Sequence, residues 1–212
     1  MSNCIQKYQG KKIVVYFDAS KCIHSRNCVL GNPEVFVPNA TGDWIVPDAA
    51  SPEEVAALAH ACPSGAITYK RLDGVEQERV PLVNVVRVRE NGPLAVQANI
   101  EIQGHGAFYR VTLCRCGASQ TKPFCDGSHI MANFIATGEP VVGDSEALLE
   151  RAGKLTITPV ANGPLQIEGN LEVCSGTGKT LNRIQKTWLC RCGASKNKPY
   201  CDGTHSKIGF SA

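Results

Sequence analysis

Leu113-Cys-Arg-Cys-Gly-Ala-Ser-Gln-Thr-Lys-Pro-Phe-Cys-Asp-Gly-Ser-His129 returns almost unchanged as Leu189-Cys-Arg-Cys-Gly-Ala-Ser-Lys-Asn-Lys-Pro-Tyr-Cys-Asp-Gly-Thr-His205. These copies lie 76 positions apart, whereas the stretches leading into them, residues 91–102 and 162–173, lie 71 apart. The second copy therefore carries a five-residue insertion, at residues 175–179. Two repeats are too few for a solenoid, so a pseudo-symmetric pair is expected. In each copy a short β-rich run (83–89, 155–160) ends at an Asn-Gly turn signal. An alternating strand follows (Leu94–Ile102, and residues 165–173). A last strand (108–113, 187–189) then runs straight into Cys-Arg-Cys. The pattern predicts a small β-rich domain with two loops of clustered ligands.

Residues 1–75 do not repeat and are expected to form a separate domain, with residues 76–212 as the second. Residues 12–17 read as a strand, 65–71 as a closing strand and 72–81 as a polar linker. Ser51-Pro-Glu-Glu54 reads as a capping box, with Pro at the first position of a helix over 52–61. The fold class expected is α+β: a helix-bearing N-terminal domain beside a β-rich tandem domain.

Composition narrows the function. The 212 residues carry a net charge of +3, and no Lys/Arg stripe is interleaved with aromatics, so nucleic acid is not expected as a partner. No apolar run approaches the ~20 residues of a membrane span, and the N-terminus lacks an apolar leader segment. No membrane association and a cytoplasmic location are the expectations. Eleven cysteines, an odd count without an export signal, argue against a disulfide framework and for metal ligation.

Cys114, Cys116, Cys125 and His129, and their twins Cys190, Cys192, Cys201 and His205, each supply three thiolates and one imidazole. Four such ligands suit tetrahedral zinc or the two irons of a [2Fe–2S] cluster. Zinc loops usually space their first pair Cys-x2–4-Cys. A Cys-x-Cys pair suits a single iron, leaving the Cys and His for the other, so spacing favours the cluster.

Both segments resemble the CDGSH iron–sulfur domain family, whose pattern is Cys-x-Cys-x2-Ser/Thr-x3-Pro-x-Cys-Asp-Gly-Ser/Ala/Thr-His. Ser119, Pro123, Cys125, Asp126, Gly127, Ser128 and His129 fill it once, and Ser195, Pro199, Cys201, Asp202, Gly203, Thr204 and His205 again. The resemblance implies two [2Fe–2S] clusters with three-Cys, one-His ligation. Single-motif members are homodimers, so the tandem chain is expected to be a monomer with an internal pseudo-dimer. Asp126 and Asp202 are expected to cap the turn carrying each His. Ser119 and Ser195 are expected to bond cluster sulfur or nearby backbone, and these four are assigned to the cofactor sites. One neutral ligand in place of a thiolate implies a potential above that of all-Cys ferredoxins.

Cys22-Ile-His-Ser-Arg-Asn-Cys28 and Cys62-Pro63 form a third constellation. Residues 12–71 are similar to divergent single-cluster ferredoxins in the order strand, cysteine loop, helix, Cys-Pro, strand. Ser25 stands where the middle Cys of that pattern belongs. Three thiolates, Cys22, Cys28 and Cys62, suit a [3Fe–4S] cluster. A [4Fe–4S] cluster needs a fourth ligand, with His24, Ser25 and water as candidates, and an empty scaffold is the third possibility.

Cys4 and Cys174 are expected to be plain thiols. Ser175-Gly-Thr-Gly-Lys-Thr180 lacks the phosphate-loop glycine, Val173 standing in its place, and reads as a hairpin turn. His60 and His105 are expected to be structural or solvated, and Lys122 and Lys198 either solvated or near enough to tune a cluster. With no nucleophile–base pair, the chain is not expected to be an enzyme. It reads as an electron carrier, its partner a flavin reductase or another redox enzyme. The alternative is a cluster donor or redox and pH sensor, its partner an apo iron–sulfur acceptor. A zinc-stapled interaction module would be colourless.

Overall fold

Two sheets with separate apolar cores divide the chain into compact units, Met1–Arg79 and Val80–Ala212. The computed structural model describes residues 5–75 and 77–212, so Cys4 lies outside the described residues.

In the first unit, β1 (Ile5–Gln9), β2 (Ile13–Asp18) and β3 (Ile67–Arg71) form an antiparallel sheet with β2 in the centre. Ile13, Val14 and Val15 of β2 are buried, as expected of a central strand. Helix α1 (Asn27–Gly31) and helix α2 (Pro52–His60) cover the sheet's apolar residues, with Val35, Phe36, Ile45, Val55 and Ala59 in the shared core. Only half of the expected capping box forms. The Ser51 hydroxyl accepts from the Glu54 N–H at 3.2 Å. The Glu54 carboxylate, which the box would turn back to Ser51, instead accepts from the Asn32 side chain at 2.8 Å. That bond ties α2 to the end of the cysteine loop.

The second unit is built from two antiparallel triplets, β4 (Val85–Val88), β5 (Leu94–Ile102), β6 (Gly106–Leu113) and β7 (Lys154–Pro159), β8 (Leu165–Cys174), β9 (Thr180–Leu189). They are interlocked rather than stacked. β4 pairs antiparallel with β5 of its own triplet and parallel with β8 of the other. β7 does the reverse, antiparallel with β8 and parallel with β5. The two short strands thus lie between the two long ones, and exchanging the triplets leaves the pairing unchanged. Asn84, fully buried before β4, seals the exchange by donating to the carbonyls of Gly153 at 3.0 Å and Asn170 at 2.9 Å. Val96, Ala98, Ile100 and Ile102 from β5 meet Leu165, Ile167, Leu171 and Val173 from β8 in one core. Each such aliphatic side chain contributes about 1.5–3 kcal/mol by leaving water. The inserted residues 175–179 close the β8–β9 hairpin, where the Ser175 N–H donates to the Lys179 carbonyl at 2.8 Å.

The α+β expectation needs correction in proportion. The chain is strand-rich, and among the described residues α2, at nine residues, is the longest helix. The β-rich character of the tandem domain is as expected.

Candidate metal centres

Each repeated motif folds back on the strand that leads into it. The Cys114 N–H donates to the Pro123 carbonyl at 2.8 Å and the Cys125 N–H to the Thr112 carbonyl at 2.9 Å, so Phe124 bridges antiparallel to Leu113. The second copy repeats this, with Cys190 to Pro199 at 2.7 Å and Cys201 to Trp188 at 2.8 Å. Cysteines separated along the loop are thereby drawn to one end of the sheet. One-turn helices, α3 (Ser128–Met131) and α4 (Thr204–Lys207), present the histidines.

The ligands arrive in pairs. Cys114 Sγ and Cys116 Sγ are 3.7 Å apart, and Cys125 Sγ faces His129 Nδ1 at 3.4 Å. In the second motif Cys190 and Cys192 are 3.8 Å apart, and Cys201 faces His205 Nδ1 at 3.3 Å. A tetrahedral ion with bonds of about 2.3 Å to sulfur and 2.0 Å to nitrogen separates two sulfurs by about 3.8 Å, and a sulfur from a nitrogen by about 3.5 Å. Both kinds of pair fit one metal ion each. Among the described residues no three of His, Cys, Asp and Glu close on a single ion.

Burial and mutual contact shift several of these groups. Burial, helped by the charges of Arg115 and Arg89 and opposed by Asp126, holds the His129 imidazole below its usual pKa, which favours the neutral form that binds metal. Within the first pair the hydrogen bond between the two sulfurs lowers Cys114 to about 6 and pushes Cys116 up. Burial raises Cys125 to about 11 and also raises Cys190. Burial and the neighbouring sulfurs therefore oppose the ionisation of Cys116, Cys125 and Cys190.

The four residues assigned to the cofactor sites act within the loops. The Ser119 hydroxyl donates to the Phe124 carbonyl at 2.7 Å and accepts from the Thr121 N–H at 3.1 Å. Ser195 does the same with Tyr200 at 2.6 Å and Asn197 at 3.0 Å. Both hydroxyls thus bond nearby backbone. Asp126 accepts from the N–H of Gln120 at 2.8 Å and of Ser128 at 3.0 Å, and Asp202 likewise from Lys196 at 2.8 Å and Thr204 at 3.0 Å. Each aspartate therefore straps the two arms of its loop together besides capping the histidine turn. Lys122 and Lys198 donate to the Ser119 and Ser195 carbonyls at 2.6 Å and 2.5 Å. His60 bonds Tyr69 at 2.9 Å, and His105 meets the Phe124 ring edge-on.

Sequence reasoning missed the arginine between the first two cysteines, although its recurrence in both copies was a signal. Arg115 is 1% exposed and donates to the carbonyls of Gly92 at 3.0 Å, Thr137 at 3.1 Å, Arg89 at 2.6 Å and Ala136 at 3.2 Å. Arg191 donates to Gly163 at 2.9 Å, Val160 at 2.6 Å and Ala212 at 3.5 Å. Each guanidinium locks its own Asn-Gly turn to the segment behind its own histidine, under Phe134 or Phe210. The electrostatics cross between motifs. Burial lowers Arg115 to about 10 against the opposing charge of Cys190, and lowers Arg191 against that of Cys114.

In the first unit Cys22, Cys28 and Cys62 line one cavity of about 460 Å³, with His24 and Ser25 on its wall. Asp18 begins the 3-10 turn before Cys22, accepting from the Ser20 N–H at 3.1 Å. The Asn27 side chain donates to the Ala61 carbonyl at 2.9 Å, which pins the cysteine loop beside Cys62. Burial pushes the Cys22 and Cys28 thiols up, and a charge on Cys62 pushes both further. Cys174 is buried against Thr180.

Two interlocked β-triplets, each ending in a Cys3His loop, together with a smaller three-cysteine unit in the same chain, define an iron–sulfur protein. Residues 91–130 and 162–206 match the family described as iron-binding zinc finger CDGSH type, and residues 8–72 match the divergent 4Fe-4S mono-cluster family. The chain thus carries two CDGSH-type modules in tandem and, at its N-terminal end, a domain of the divergent 4Fe-4S mono-cluster type. The uncharacterized protein YjdI of Escherichia coli K12 is 43% identical over 63 residues, 30% of this chain and 82% of YjdI. CDGSH iron-sulfur domain-containing protein 1 of Rattus norvegicus is 36% identical over 70 residues, 32% of this chain and 60% of that protein, and the Mus musculus protein matches equally. No solved structure matches the chain. Among the described residues no helix is long and apolar enough to cross a membrane.

Proposed function

We propose that this protein is an electron carrier with three iron–sulfur centres and no catalytic activity of its own. Cys114, Cys116, Cys125 and His129 hold one [2Fe–2S] cluster, and Cys190, Cys192, Cys201 and His205 hold another. Cys22, Cys28 and Cys62 hold a third, of ferredoxin type. The observation that supports this reading most is the pairing of ligands, each pair at the spacing of one tetrahedral ion. Bound clusters supply one-electron storage and release. The chain's residues supply rigidity: backbone pairing, the serine and aspartate straps and the buried arginines hold the ligands in place through a redox cycle. The partners are a flavin reductase or a redox enzyme.

Iron and acid-labile sulfide per chain, with absorption and electron paramagnetic resonance spectra of the same sample, test this. About 7 or 8 irons are expected, the sum of two two-iron sites and one of three or four. About 4 irons would leave the N-terminal cavity empty, and zinc in place of iron would overturn the reading. Reduction by a flavin reductase, followed by reoxidation by a second protein, tests the carrier role.

A second reading, cluster donation to an apo-acceptor, has one observation in its favour. His129 lines a surface pocket with Ile130 and Ile135, and Ile130, Met131 and Ile135 are 62%, 87% and 83% exposed. The second motif has Ser206 and Lys207 in the positions of Ile130 and Met131. An acceptor docking on that apolar rim would meet the first motif's histidine edge. Transfer of an intact cluster should then slow in His129→Cys more than in His205→Cys, and equal rates would reject the reading.

A further inference from the structure

Helix α2 hands the chain on to β3 through Cys62-Pro63-Ser64-Gly65, where the Gly65 N–H donates to the Cys62 carbonyl at 3.4 Å. Proline second and glycine fourth are favoured places in such a turn, and the turn brings the Ser64 hydroxyl back to the Cys62 sulfur. Ser64 is 4% exposed and Cys62 7%, and both line the N-terminal cavity with Cys22 and Cys28. Among the described residues the Ser64 hydroxyl has two partners, the Ala66 N–H at 3.3 Å and Cys62 Sγ at 3.6 Å. An N–H can only donate, so the hydroxyl oxygen accepts from Ala66 and its proton is left for the sulfur. A metal-bound Cys62 is a thiolate without a proton, which fixes the direction: the serine donates and the sulfur accepts. Ser119 and Ser195 also accept from the N–H two residues on, but they donate to the carbonyls of Phe124 and Tyr200. Of these three serines, Ser64 alone sends its proton to a cysteine proposed as a ligand.

We infer that Ser64 is a positioning residue that raises the potential of the third iron–sulfur centre by donating a hydrogen bond to Cys62 Sγ. The inference rests on the proposed third centre and holds for a three-iron and a four-iron cluster alike. Reduction adds negative charge that the sulfurs share. A donor aimed at one of them therefore stabilises the reduced cluster more than the oxidised one. Burial of both partners strengthens the bond by lowering the local dielectric.

The full chain, loaded anaerobically with iron and sulfide, provides the test, with each centre's potential followed by electron paramagnetic resonance. The signal lost in Cys62→Ala identifies the third centre. Ser64→Ala is expected to keep its iron and to weaken the reduction equilibrium of that centre by about tenfold, which is ~59 mV for one electron. The potentials of the two proposed [2Fe–2S] centres should not move. Ser64→Thr keeps the hydroxyl and should keep the wild-type potential. An unchanged potential in Ser64→Ala overturns the inference, as does an equal fall in Ser64→Thr. Loss of the third centre's iron from Ser64→Ala makes the serine a structural residue and overturns it as well. About 4 irons in wild type, with no signal that depends on Cys62, overturns the third centre itself, and the two failures are thereby distinguished.

Discussion

Gly117 and Gly193 each press against the backbone of the other's motif. A Cβ on Gly117 would stand 2.6 Å from the Cys192 carbonyl oxygen, and one on Gly193 closer still to that of Cys116. Both residues have φ of 82°, a conformation that also disfavours any side chain. The two cluster loops therefore touch through the residues that follow their second cysteines. Gly117→Ala or Gly193→Ala is expected to destabilise the chain by about 2–4 kcal/mol, strain and clash together. Iron should fall at both motifs, because each glycine bears on the other's cysteine. Gly127→Ala has a similar φ of 86° but open space around it, so only the conformational cost should remain. Thermal melts and iron content of the three variants check the ranking.

Arg115→Met removes a buried positive charge from a point where it acts on Cys190 of the other motif as well as on its neighbour Cys116. The potentials of both proposed [2Fe–2S] centres should fall, by on the order of 100 mV for one unit charge across several ångströms at an effective dielectric near 20. Arg115→Lys should preserve the potential better than the stability, since a lysine keeps the charge but cannot fork across four carbonyls. Redox titration with each motif followed separately would show whether the effect crosses. A shift confined to the first motif would contradict the crossed arrangement.

Ser119→Ala leaves the Phe124 carbonyl and the Thr121 N–H without their partner. The expected cost is about 1–3 kcal/mol, with faster loss of the first cluster and an unchanged absorption spectrum and potential. A shifted potential would instead indicate a hydroxyl bonded to the cluster. Ser195→Ala should act in the same way on the second motif.

Glu172 contributes acid sensitivity to the interlocked sheet. Its side chain is 3% exposed, and Arg151 donates to it at 2.6 Å and 3.2 Å. Those hydrogen bonds hold the carboxyl below its usual range, against the opposing effect of burial. A group with a depressed folded pKa contributes stability above its unfolded value, and that stability is lost as pH falls through the folded value. Glu172→Gln is therefore expected to lower stability at neutral pH by about 1–3 kcal/mol. The difference from wild type should shrink below the ordinary glutamate value of 4.5. Paired denaturant melts across that range isolate the effect, because acid acts on the clusters of both proteins alike.

Where residues speak to near neighbours, the fold was legible. The alternation of β5 and its buried face, the Pro-started helix α2, and the hairpin at the insertion are all local signals, and each element formed within a residue or two of its expected bounds. β1 was missed because four of its five residues face solvent and carry no alternation to read. The parallel pairs β4–β8 and β5–β7 were missed for a different reason. A strand's sequence records that one face is buried but not which distant strand lies beside it. At the sites, spacing and the repeat supplied the ligands, whereas the partners of Ser119 and the carbonyl cage around Arg115 depend on loop backbone that only tertiary structure defines.

The exchanged short strands set the order in which this chain can be finished on the ribosome. β4 emerges early and can pair with β5 at once, but its other neighbour in β8, Glu172 to Cys174, is made 87 residues later. Until then the N-terminal triplet has an open strand edge and half of a core, the state in which nascent chains find wrong partners. In a crowded polysome the nearest complementary edge belongs to another copy of the same chain. Fusing two modules in tandem makes the right partner arrive on the same polypeptide, so closure becomes a matter of waiting rather than of encounter.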